Sequence, residues 1–170
     1  MSTDRAALID EAKRVEEFSL WNSATHFNIA AWAGWIQAIG GAVPIVLGAI
    51  GGWKFLTDPS IASPHQIIVA SLFSLAAGTL GSVLSYWNLA KVRLEHFMAA
   101  AKYKTLENQA RRAHQIHAVS EPDAEFRERV LGLGKRYDEL GESSPQSMTL
   151  AFLVAGRAIR RGRFQSDRKS

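Results

Sequence analysis

Two stretches of this chain carry no charged side chain, Phe18–Trp53 and Pro59–Ala90. Between Glu17 and Lys91 only Lys54 and Asp58 are charged. A helix crosses the hydrocarbon core of a bilayer in about 20 residues, so each stretch exceeds what one span requires. A single soluble domain of 170 residues does not need two such runs side by side. The mean hydropathy of −0.06 hides them because it averages two unlike parts. Residues 1–17 carry three Lys/Arg against five Asp/Glu, and residues 91–170 carry sixteen against ten. The first run is too long for a secretory signal, and an acidic-leaning segment precedes it where a signal has a short basic one.

Tryptophan and tyrosine favour the membrane–water interface, because one part of the ring is apolar and the other polar. Trp35 and Trp53 stand eighteen residues apart, or about 27 Å of helix. Tyr86 and Trp87 mark the far end of the second run at a similar distance from Gln66. These anchors place spans near residues 31–53 and 66–87. The link KFLTDPSIASPH contains Pro59 and Pro64, which disfavour helix through the residues before them. A short link makes the spans antiparallel neighbours. It holds only Lys54, whereas Lys91, Arg93, Lys102 and Lys104 follow the second span. The positive-inside rule then puts both termini in the cytoplasm.

Gly34, Gly41 and Gly48 recur every seven residues, and Gly48 with Gly52 forms a G-x-x-x-G pair. In the second span Ser71, Ser74, Gly78, Gly81 or Ser82, and Ser85 share a face. Small residues let membrane helices approach closely, which substitutes for the hydrophobic drive that lipid does not supply. The stripes are read as helix-packing surfaces or as a pore lining. Pro44 should kink the first span. No Asp, Glu, Lys or Arg lies at membrane depth, which argues against a proton-coupled transporter.

The flanking sequence reads as helix throughout. Leu8, Ala12, Val15 and Phe18 or Ser19 make an amphipathic N-terminal helix. Residues 88–118 contain no Gly or Pro and predict one long helix continuing the second span. Val92, Ala99, Leu106 and Ala113, with Tyr103 and Ala110 between them, form its seam. Ser120, Pro122 and Asp123 look like a helix start with a capping box. Phe126, Val130, Leu133, Tyr137 and Leu140 follow as a two-per-heptad stripe, which is the expected assembly seam; Gly141 is expected to end the helix, and the helix to fold back antiparallel on the long one. Ser144–Pro145 is expected to start a short terminal helix. Arg157, Arg160, Arg161 and Arg163 follow its apolar run, either as a solvated basic tail or as contacts to anionic headgroups or phosphate.

The expected architecture is therefore all-α: a membrane protein with an antiparallel two-transmembrane hairpin on a cytoplasmic helical bundle. Residues 1–24 form the N-terminal helix, 25–90 the hairpin, 91–163 the helical domain and 164–170 a basic tail expected to be disordered. The chain has no cysteine, which excludes disulfides and thiolate sites. GLGK at 132–135 is not a Walker loop. His96, His114 and His117 have no acidic residue at obvious ligand spacing and read as polar positions. No catalytic site, metal, cofactor or nucleic-acid partner is expected. The lipid bilayer and further copies of the chain are the expected partners.

WNSATHFNIAAWAG, IQAIGGAVPIVLGAIGGWKF and the closing RYDELGESSPQSMTL resemble the SLATT domain, the SMODS- and SLOG-associating two-transmembrane effector domain. The L-x-E-x-S-P element (Leu140, Glu142, Ser144, Pro145) and the stretch through Pro44 carry the resemblance. It implies an oligomeric effector in the bacterial inner membrane, active in antiphage defence. It further implies a partner encoded nearby, such as a nucleotide-signal synthase or sensor, and membrane permeabilisation that stops growth. A membrane-anchored adaptor that conducts nothing and recruits a cytoplasmic partner would have the same layout.

Overall fold

The structure, a computed structural model, describes residues 3–57, 64–147 and 149–161. Among them there is no strand. Helix α1 runs Thr3–Thr57, α2 Pro64–Tyr86, α3 Leu89–Arg112, α4 Ala118–Ser120, α5 Asp123–Ser143 and α6 Thr149–Arg160, with a π-helical turn at Ala113–His117 between α3 and α4. The chain divides into two compact units. One comprises residues 1–30 and 94–170, the other Ala31–Arg93.

The first unit has a conventional buried core. Ala12 and Val15 of α1, Leu106 and Ala110 of α3, Ala113 of the π turn, Ala118 of α4 and Phe126, Val130 and Leu133 of α5 form one cluster. Small side chains at positions 12, 110, 113 and 118 let the helices close around Phe126, which is fully buried. Leu8, Ile9, Tyr137 and Leu140 pack on its edge. A second cluster joins Leu20 and Ala24 of α1 to Ala155 and Ile159 of α6, with Trp21 against it. The Trp21 ring stacks on Phe152 at 5.3 Å.

Arg5 ties the start of α1 to the α4–α5 junction. Its guanidinium donates to the Ala118 and Glu121 carbonyls at 2.8 Å, pairs with Asp123 and lies 5.2 Å from the Phe126 ring centroid. The carbonyls it meets belong to a helix end, where backbone acceptors lack intrahelical partners.

Several expected boundaries are corrected. The second span does not run unbroken into α3: Trp87 and Asn88 form a turn, and Asn88 has φ 42°. Asparagine is one of the few residues that enter the left-handed region at low cost. Its side-chain oxygen also accepts the Lys91 N–H at 3.3 Å, which helps to start α3. Ser120 does not cap α5: its hydroxyl donates back to the Ile116 carbonyl at 3.1 Å, and extended Pro122 precedes the helix instead. Gly141 does not stop α5, which continues to Ser143. Pro145 lies outside any helix, and the described part of α6 begins at Thr149. The N-terminal helix leads without a break into the first apolar run, as α1 is continuous from Thr3 to Thr57 and passes through Pro44.

Candidate membrane-spanning site

The unit Ala31–Arg93 is built differently. Two helical stretches, Asp4–Ile50 and Ile67–Ser120, each contain a segment long and apolar enough to cross a membrane. Only 6% and 0% of their most apolar windows are buried. A core helix of a water-soluble protein would bury such a window, so these helices present their apolar side chains outward. Ile45 is 73% exposed, Leu75 69% and Trp35 68%.

α1 runs antiparallel to α2 and the start of α3. Gly34 lies against Arg93 of α3, Gly40 against Leu84 of α2, and one groove takes in Pro44 with Gly81. At Gly40 the approach is closest: a Cβ there would clash with Leu84 Cδ1. The seven-residue repeat selects Gly34, Gly41 and Gly48, and so misses Gly40. Which glycine a partner covers depends on that partner's register, which α1 alone does not encode. Gly41, Gly48 and Gly78 have nothing within 4 Å of a built Cβ. Ser71, Ser74, Ser82 and Ser85 are exposed, and the Ser82 hydroxyl donates to the Gly78 carbonyl of its own helix at 2.9 Å. The small-residue stripes are thus largely open, apart from the contact at Gly34. Tyr86, Trp87 and Trp35, the expected anchors, are all exposed. The surroundings of Gly52, Trp53 and Arg163, the link 58–63 and the tail 164–170 lie outside the described residues.

The α5 stripe is corrected. Phe126, Val130 and Leu133 are buried within the chain's own core, with Tyr137 and Leu140 packed against it. A stripe already covered by α1 and α3 is not an exposed assembly seam. In α6, Ala151, Ala155, Gly156 and Ile159 are buried while Arg157, Arg160 and Arg161 are exposed, so its apolar face packs within the chain and its arginines face outward.

Four of the histidines are paired, two of the pairs are hidden in the sequence, and the expectation that His117 has no acidic neighbour is corrected by Glu121, one turn on. His26 of α1 and His96 of α3, both buried, approach Nδ1 to Nδ1 at 2.8 Å. One ring donates its Nδ1–H and the other accepts, so the pair holds together only when at least one ring is neutral. Tyr103 stacks on His26 at 5.7 Å. Burial, then the charge of His96, pushes His26 down to about 4, and burial also lowers His96. His114 Nε2 lies 2.6 Å from Glu16, and His117 lies 2.8 Å from Glu121. Sequence separations of 70 and 98 explain why neither His26–His96 nor Glu16–His114 is visible by spacing. No group of three or more metal-ligating side chains occurs among the described residues.

No family model, curated protein or solved structure matches the chain. The geometry therefore defines the class alone: among the described residues, helices without strands, in which one unit has a buried core and the other turns two long apolar helices outward.

Proposed function

We propose that the protein is an oligomeric inner-membrane effector of bacterial conflict defence, whose activation permeabilises the membrane and arrests growth. In this reading Ala31–Arg93 is a two-span hairpin, both termini are cytoplasmic, and the helical unit is the cytoplasmic sensor side. The observation that carries it is the outward apolar surface of α1 and α2, combined with open small-residue faces at Gly41, Gly48, Ser71, Ser74 and Gly78. Lipid satisfies the apolar surface, and small faces admit close contact with another copy. Two spans cannot enclose a pore, so conduction requires several protomers. The resemblance to the SLATT domain supports the defence role and a partner encoded nearby.

One observation favours the anchored-adaptor reading: the α5 stripe is consumed inside the chain, which leaves the helical unit without that seam for self-assembly. Induced expression in cells carrying a potential-sensitive dye, with and without the neighbouring genes, separates the two. The effector reading expects lost potential that Gly48→Leu or Ser74→Leu restores. Normal potential with the neighbouring genes present sinks it and leaves the adaptor.

A further inference from the structure

At the end of the hairpin away from the link, α1 and α2 leave an open groove of about 380 Å³, lined by Gly40, Gly41 and Pro44 on α1 and by Gly81 and Leu84 on α2, with three polar side chains, Gln37, Ser85 and Asn88, around it. Its two glycine walls exist because no Cβ fills them: Gly41 and Gly81 both have open space where one would stand. Pro44 has no N–H, so the Gly40 carbonyl, four residues earlier, loses its usual helical donor. The space is thus mainly apolar but edged with hydrogen-bonding groups.

A cation stands next to it. Leu89 lines the cavity, and Arg93 follows one turn later on the same face of α3. The Arg93 side chain lies against Gly34, where a Cβ would be 3.3 Å from Nε and 3.4 Å from Cζ. Gly34 precedes Gln37 by one turn, so the guanidinium is held against α1 directly beyond the polar edge. The one acidic residue between Ala31 and Arg93 is Asp58, in the link. Among the described residues of this unit there is no carboxylate, and the first one after it in the chain is Glu95.

We propose that this cavity and Arg93 form a binding site for an anionic phospholipid. The phosphodiester sits on the Arg93 guanidinium, whose planar fork suits phosphate oxygens. The glycerol ester groups meet Gln37, Ser85 and Asn88, and an acyl chain enters between α1 and α2. Basic pockets between transmembrane helices recognise anionic headgroups by this combination. The inference rests on the hairpin being membrane-embedded.

Native mass spectrometry of the full chain, released from detergent micelles with phosphatidylglycerol or phosphatidylcholine, tests it. Phosphatidylglycerol should be retained about fivefold more strongly. Arg93→Gln should abolish the preference, while Arg93→Lys should keep part of it. Gly41→Leu, which leaves the charge intact and fills the cavity, should lower retention of both lipids. Equal retention of the two lipids by the wild-type protein overturns the site, as does an unchanged preference in Arg93→Gln. Displacement of phosphatidylglycerol by millimolar inorganic phosphate would assign the site to a soluble anion instead. Recovery of the chain in the alkaline carbonate wash of membranes would sink the hairpin itself; a membrane-retained chain without lipid preference sinks only this site.

Discussion

At the scale of single residues, the buried histidine pair sets a pH dependence. Both folded-state values lie below the ordinary one, so the unfolded chain takes up protons first as pH falls. Stability is full above about 6.5 and is lost as pH drops toward 4. His26 alone predicts a loss of about 2 kcal/mol between pH 7 and pH 5. Urea unfolding at the two pH values measures it, and His26→Gln should shrink the difference. Glycines give a second contrast. Gly156 stands against the Trp21 ring, where a Cβ would lie 2.7 Å from Cζ3. That ring is itself stacked on Phe152, so it yields poorly. Gly156→Ala should destabilise by about 1–3 kcal/mol. Gly134 lies mid-helix with open space around it, and Gly134→Ala should stabilise by roughly 0.5–1 kcal/mol. Thermal unfolding of the two variants reads opposite signs.

At the scale of elements, α5 is the best specified. Phe126 is fully buried by α1 and α3, and Phe126→Ala should cost about 3–5 kcal/mol in thermal unfolding. The α2–α3 break depends on Asn88. Its φ of 42° predicts that Asn88→Val costs roughly 1–2 kcal/mol in unfolding by denaturing detergent, while Asn88→Gly is tolerated. These two elements also show what the sequence makes legible. The stripe from Phe126 to Leu140 was readable because periodicity is local. Its packing on the long helix through Leu106, Ala110 and Ala113 was readable too, but the contribution of α1 was not, because Ala12 and Val15 lie more than a hundred residues away. The break at Asn88 was hidden because nothing around it is Gly or Pro, and asparagine enters the left-handed region only where its neighbours allow. Ser120 misled for a related reason: a hydroxyl can cap forward or donate backward to its own helix, and here it does the second.

At the scale of the whole molecule, the division of labour was legible in outline from charge alone. The apolar segments after residue 30 turn outward on α1 and α2, whereas residues 19–30 of the first charge-free run join the buried core with the amphipathic segments. The site within the hairpin was legible only in part. Spacing identified small-residue faces, but Gly40 and the Arg93–Gly34 contact emerge only when the two helices meet. The central claim is that residues 31–53 and 66–87 cross the bilayer with both termini inside. Because the chain has no cysteine, single substitutions give clean labelling sites. Spheroplasts expressing Ser60→Cys in the link, or Ser147→Cys between α5 and α6, are treated with a membrane-impermeant maleimide. A two-span hairpin predicts that Ser60→Cys reacts in intact spheroplasts and Ser147→Cys only after lysis. Labelling of both only after lysis, or of both before it, contradicts that topology.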